Sequence, residues 1–359
     1  MTVLDAHLAR GSLPVAVDRG RDAVVLSPLL DLPFVETRYD RSVFGHGRRP
    51  VYLVPRPEFV EAVARLVEPP ALNVIAHVGR CGSTLLANLL GLRPDTLVIK
   101  EPGFLRTPDR ELLGALLRYC RTAASVAGRS LVVKPTSWTC PAVREAVSPH
   151  DTTGLSETAG PRDAEGLRDA AGTRWLLLWR EPGAVVRSAL ATPPPWADAP
   201  DARAELARRV SPEPTGAVAR YAWHWLDVVK VFPSAPDPEA PGPAVRFLAY
   251  PELVADKQVA LLAVQAWFRL PGAGVTPAGF EAEAGRYSKA ADGTRFEPAG
   301  AHRRAELTPA DAALVERITG PTLAALRGSD PVYSLLGGAE ARRPEPSRST
   351  GRSGHGGCS

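Results

Sequence analysis

Ten residues, His77-Val78-Gly79-Arg80-Cys81-Gly82-Ser83-Thr84-Leu85-Leu86, restrict the folds open to this chain more than any other stretch. They follow the apolar run Asn73-Val74-Ile75-Ala76, which reads as a buried strand. They lead into Leu85-Leu86-Ala87-Asn88-Leu89-Leu90, which reads as a helix stopped at Gly91. A strand, a glycine-containing loop and a helix N-terminus together make an anion site. Backbone N–H groups converge there, the helix dipole adds positive potential, and glycine lets the backbone come close. Ser83 and Thr84 add hydroxyl donors, and Arg80 adds a charged fork suited to phosphate.

The loop is not a Walker A sequence, which needs Gly-Lys followed by Ser or Thr. Here Gly82 is followed directly by Ser83, and the cation stands before the glycine, at Arg80. The order cation-x-Gly-Ser-Thr after a strand resembles the phosphosulfate-binding loop of sulfotransferases. Those enzymes use 3′-phosphoadenosine 5′-phosphosulfate (PAPS). The resemblance implies that Arg80 and the loop Cys81, Gly82, Ser83, Thr84 and Leu85 hold the 5′-phosphate.

Two further segments carry the resemblance. Trp175-Leu176-Leu177-Leu178-Trp179 reads as a strand and runs into Arg180-Glu181-Pro182, with Ser188 eight residues after Arg180. The family has Arg, then Asp or Asn and Pro, then Ser at that spacing; Glu181 departs from it. The match implies that Arg180 and Ser188 bind the 3′-phosphate. The run Val245–Tyr250 followed by Pro251-Glu252-Leu253 resembles the family's strand ending in Tyr-Glu-Asp-Leu, and places Tyr250 near the adenine. Lys289, after Tyr287-Ser288, lies where the family has a basic loop over the 3′-phosphate, although the usual Arg-Lys-Gly is missing.

Strands expected at 73–78, 96–100, 130–134, 174–180 and 244–250 alternate with helices at 83–90, 109–127, 184–190, 216–231 and 257–270. That alternation implies a mostly parallel sheet of roughly five strands covered on both faces, a three-layer α/β/α fold. The resemblance gives it a P-loop nucleoside-triphosphate-hydrolase-like, sulfotransferase topology. Residues 1–70 read as an irregular, Pro-rich segment, with short strand-like runs at 23–26 and 51–54 and a helix near 57–67, packing on the main domain at 71–338. Residues 339–359 read as a disordered tail. Segments 148–172, 192–214 and 233–243 read as loops or insertions.

Ligands of such sheets lie outside the strand carboxyl ends. The second strand ends Lys100-Glu101 and the third Lys134-Pro135-Thr136. In carbohydrate sulfotransferases a Glu after the second strand is the base in several branches, so the resemblance implies Glu101. In the cytosolic branch the third strand ends Lys-Thr-His; Thr136 stands in place of that His. Lys134 and Arg80 are then the candidates to stabilise the transferring group, with His224 as the reserve base. No metal is expected, since a sulfuryl group carries little charge. The alternatives are a P-loop kinase, which wants a strand ending in Asp that this chain lacks, and an inactive nucleotide-binding relative.

The formal charge of +4 is too small to argue for nucleic acid. Lysine occurs five times, so arginine supplies nearly all the positive charge. The four cysteines form no C-x-x-C pair, and no run approaches a membrane span. These features lead to the expectation of a cytoplasmic enzyme acting on a small-molecule or carbohydrate acceptor, without membrane insertion. Cys81 stands beside a helix N-terminus, where thiols can be activated, but reads as a small residue tolerated at a variable loop position.

Overall fold

The computed structural model describes residues 3–30, 50–67, 71–147, 172–210, 215–232, 244–272, 274–285, 305–328 and 334–336. The amino-terminal part holds helix α1 (Val3–Ala9), strands β1 (Ser12–Asp18), β2 (Ala23–Pro28) and β3 (Tyr52–Pro55), and helix α2 (Arg56–Ala64). The strands form an antiparallel sheet in the order β1-β2-β3. The strand-like runs expected at 23–26 and 51–54 and the helix expected near 57–67 appear as β2, β3 and α2; what is corrected is the irregular, Pro-rich chain expected around them, where β1 stands. The prolines that suggested it occupy places a sheet tolerates: Pro14 marks a register shift in edge strand β1, while Pro28 and Pro55 end strands.

The main sheet comprises β4 (Asn73–His77), β5 (Thr96–Lys100), β6 (Ser130–Lys134), β7 (Arg174–Trp179) and β8 (Ala244–Ala249). All are parallel, in the order β5-β6-β4-β7-β8. The helices are α3 (Ser83–Gly91), α4 (Arg110–Val126), α5 (Cys140–Ala146), α6 (Pro182–Ala191), α7 (Pro200–Arg209), α8 (Gly216–Lys230), α9 (Tyr250–Ala255), α10 (Lys257–Trp267), α11 (Pro277–Ala284) and α12 (Pro309–Arg327). The chain moves outward from β4 to β5 through α3 and returns to β6 through α4. Right-handed crossovers put those two helices on opposite faces. The packing agrees. Helix α3 meets α10 and α11; α4 meets α5, α5 meets α8, and α8 meets α6 and α12. The fold is α/β, three layers around a five-stranded parallel sheet.

Strands β4 and β5 are buried along their whole length. One apolar core runs from Leu4, Leu13 and Phe59 through Ile75, Leu86 and Leu117 to Leu177 and Leu248. The amino-terminal strand β1 and helix α2 pack against α4, with the rings of Phe59 on α2 and Tyr119 on α4 5.4 Å apart. A second correction concerns 192–214, read as loop. It contains α7, with Pro200 and Asp201 in the first turn and Arg208 and Arg209 in the last. Its few apolar residues hid it. Among the described residues no helix is long and apolar enough to cross a membrane. Lys289, segment 233–243 and the tail from 339 lie outside the described residues, as does 148–171 of the first insertion.

Candidate active site

Strand β4 borders β6 on one side and β7 on the other; the connection from β4 runs toward the β5 edge, and that from β7 runs the opposite way to β8. The carboxyl end of β4 is the topological switch point. The loop there turns through three left-handed residues: Gly79 at φ 80°, Arg80 at φ 54° and Gly82 at φ 83°. Gly82 is the N-cap of α3, and no side chain caps the helix. Its first N–H groups therefore remain available to an anion. An added Cβ at Gly82 would lie 2.9 Å from Leu253 and 3.3 Å from the Tyr250 ring, so only glycine fits.

His77 holds the loop start. Its Nδ1 accepts from the Gly79 N–H at 3.1 Å, so Nε2 carries the proton and donates to the Pro135 carbonyl at 3.0 Å. Cys81 is buried, and its Sγ faces the Leu178 carbonyl at 3.5 Å. Its side chain thus packs in the core, in line with a small residue accommodated in the loop. Ser83, Thr84 and Leu85 are buried in the first turn of α3.

The residues from the second and third motifs come to this loop. Arg80 Nε donates to Ser188 Oγ at 3.0 Å, and its guanidinium donates again to the Ser188 carbonyl at 3.2 Å. Arg180 donates to the Arg80 carbonyl at 3.0 Å and lies over the Tyr250 ring, 4.4 Å from its centre. The Trp225 indole N–H holds the Arg180 carbonyl at 2.9 Å. Two arginines, a serine hydroxyl, an aromatic face and an uncapped helix N-terminus share one corner of the sheet. Tyr250 opens α9 rather than ending β8, because Pro251 and Glu252 suit a first helical turn.

Glu101 also has a left-handed backbone, at φ 51°. Such a conformation in a residue with a Cβ costs about 1–3 kcal/mol and persists only where the surroundings enforce it. Here the Glu101 N–H donates to the Lys134 carbonyl at 2.6 Å, and its carboxylate is ion-paired with Lys134 Nζ. The Lys134 side chain is 0% exposed and that of Glu101 24%. Lys134 is therefore turned onto Glu101, sealed from solvent. Thr136 is buried and bonds Thr139 at 2.9 Å.

His224 is sealed as well, at 3% exposed. It meets Ser137 Oγ at 3.0 Å, and the Trp196 ring lies 4.3 Å from its own. Burial pushes its pKa down to about 3, so the ring is neutral at ordinary pH and is reached only through Ser137 and Trp196. Sequence reasoning missed Ser137, whose hydroxyl would meet a Cβ at Gly79 at 3.4 Å. It also missed the two clamps at His77 and Trp225. No local signal marks them, because each acts across strands.

No protein-family profile and no curated protein matches this sequence. Among solved structures it is similar to a sulfotransferase domain from the curacin biosynthetic pathway. The sequence identity is 15% and the TM-score 0.40, over 71% of this chain and 98% of that one.

His224 yields an expected pH dependence. The unfolded chain protonates near 6.5 and the folded ring only near 3. Between those values the unfolded state binds more protons, so this group makes stability fall as pH falls. The slope is about 1.4 kcal/mol per pH unit. Urea unfolding at pH 7.5 and 5.5 should show that loss, and His224→Gln should lack it. An identical pH difference in the variant would assign the effect to other groups.

Proposed function

We propose that this protein is a sulfotransferase that moves a sulfuryl group from PAPS to a hydroxyl or amine of a small-molecule or carbohydrate acceptor. The observation that carries this reading is the convergence of Arg80, Ser188, Arg180 and Tyr250 on an uncapped helix N-terminus. The four come from three separated stretches of sequence. They offer donors for two phosphates and an aromatic face for a base, which is the recognition PAPS requires.

The fit assigns the groups as follows. Arg80 and the N–H groups of the first turn of α3 would hold the 5′-phosphate, and Arg180 with Ser188 the 3′-phosphate. Tyr250 would flank the adenine. PAPS supplies the sulfuryl group: an acceptor oxygen or nitrogen bonds to sulfur as the sulfur–phosphate oxygen bond breaks and adenosine 3′,5′-bisphosphate (PAP) leaves. Glu101 accepts the proton lost by the acceptor. Lys134 fixes the carboxylate that does so. Fixed donors beside the loop stabilise charge on the departing oxygen without reorganising.

PAP should raise the melting temperature more than ADP does, in the absence of Mg²⁺, because a ligand that binds only the folded state stabilises it by mass action. A thermal-shift series with PAP, ADP, ATP and GTP checks this. A larger shift with ATP that requires Mg²⁺ would instead support the kinase reading.

A further inference from the structure

Where β6 ends, three of four consecutive residues each hold a different part of the site. The carbonyl and the ammonium of Lys134 both bind Glu101. The Pro135 carbonyl accepts from His77 Nε2 at 3.0 Å. Ser137 Oγ stands against Gly79, close enough to meet an added Cβ at 3.4 Å, and bonds His224 Nε2 at 3.0 Å. Pro135 fixes its own φ, which stiffens the stretch between Lys134 and Ser137. None of His77, Lys134, Ser137 and His224 is more than 4% exposed. Bulk water therefore does not compete for these bonds, and the low local dielectric strengthens them.

Gly79 is gripped twice. Its N–H is taken by His77 Nδ1 at 3.1 Å, and Ser137 closes the space beside its Cα. His77 meets Gly79 and Pro135 together only as a neutral ring with its proton on Nε2. His224, neutral as well, backs Ser137 and is itself covered by the Trp196 ring at 4.3 Å. The backbone these groups hold is unusual. Gly79 turns at φ 80° and Arg80 follows at φ 54°. Glycine takes that conformation freely, but a residue with a Cβ stays there only where its neighbours enforce it.

Resting on the sulfuryl-transfer reading, we propose that His77 and Ser137 are positioning residues of the donor site. They hold the entry of the loop in its anion-binding turn before any ligand arrives. Through the short stretch they share with Lys134, they also keep that loop in register with Glu101. Neither has to touch the ligand. Without the brace the empty loop populates other turns, and affinity falls in proportion to the fraction of molecules that stays competent.

Calorimetry with PAP tests this on the full chain, comparing wild type with His77→Leu, Ser137→Ala and the double variant, each at a temperature where denaturant unfolding shows it folded. Each single change should weaken PAP about tenfold. The double variant should lose much less than the roughly hundredfold of independent sites, because both changes free the same turn. His77→Asn keeps an acceptor at the position of Nδ1 and should recover much of the loss. The amides of 79–82 should exchange faster in the unliganded variants and slow again with PAP, which general destabilisation would not confine to the loop. Unchanged affinity in both single variants, or a double loss equal to the product of the single ones, would overturn the proposal. If His77→Leu does not fold, Ser137→Ala and His77→Asn decide. ADP with Mg²⁺ is titrated alongside, so that the two readings fail separately. Wild type and variants that bind PAP equally well leave the sulfotransferase reading intact and remove the brace. Wild type that binds ADP with Mg²⁺ in preference to PAP, with variants that bind it less well, keeps the brace and removes the PAPS reading. Binding of neither nucleotide removes both.

Discussion

Glu101→Gln should lower turnover by roughly 10²–10⁴-fold, the usual loss for a general base, while PAP still stabilises the protein. On the proposed sulfuryl-transfer reading this residue is the proton acceptor at the carboxyl edge. Its side chain is partly exposed, its backbone is held left-handed by the Lys134 carbonyl, and its carboxylate is fixed by a buried ammonium. The other candidates are closed. Thr136 is buried against Thr139, and His224 is sealed beneath Trp196 with a pKa near 3. The acidic limb of the pH–rate profile should vanish in Glu101→Gln, since that limb would report ionisation of Glu101. The variant should also be less stable, because it leaves the Lys134 ammonium buried without its anion. Breaking a buried pair from one side costs about 3–5 kcal/mol, and the partial exposure of Glu101 reduces that here. Denaturant unfolding therefore accompanies the rates, and the PAP melting shift certifies that the folded variant keeps its cofactor corner. Turnover near the wild-type value, measured with labelled PAPS and an acceptor found by screening, would move the base elsewhere.

The five parallel strands were legible because each is a short apolar run that ends on a polar or bulky residue at the sheet edge. Strands 96–100 and 130–134 match to the residue, and the other three end one residue early. Helix α6 begins two residues before its apolar pattern because Pro182 can open a helix. Pro14 obscured β1 because nothing local tells an edge strand with a bulge from a loop. In the site, the motifs named Arg80, Arg180, Ser188 and Tyr250, and the sheet order brings all four together. That Lys134 turns onto Glu101 was not legible. It follows from the pairing of β5 with β6, which places Lys100 opposite Lys134. The neutrality of His224 follows from burial between α8, Ser137 and Trp196, which no periodicity in its own helix encodes.

Arg180→Ala should weaken PAP binding about 30- to 100-fold. It should leave the affinity for adenosine 5′-phosphosulfate, which lacks the 3′-phosphate, nearly unchanged. One hydrogen-bonded charge on a phosphate contributes about 2–3 kcal/mol, and each 1.4 kcal/mol is tenfold. The side chain has two attachments that keep it in place before any ligand arrives: the Arg80 carbonyl at 3.0 Å and the Tyr250 face at 4.4 Å. Preorganised in this way, the guanidinium loses little freedom on binding. The contact to the Arg80 carbonyl complicates a simple deletion, because it helps hold the left-handed loop. A loop that relaxes would weaken both ligands alike, since both need the 5′-phosphate site. Arg180→Lys separates the two roles. It keeps a positive charge near the 3′-phosphate but loses the planar fork that stacks on Tyr250 and reaches two acceptors at once. If Arg180 reads the 3′-phosphate, the lysine variant should fall between wild type and alanine for PAP and match wild type for adenosine 5′-phosphosulfate. Equal losses for both ligands in both variants would make Arg180 a brace for the loop, and the 3′-phosphate would then need another partner beside Ser188.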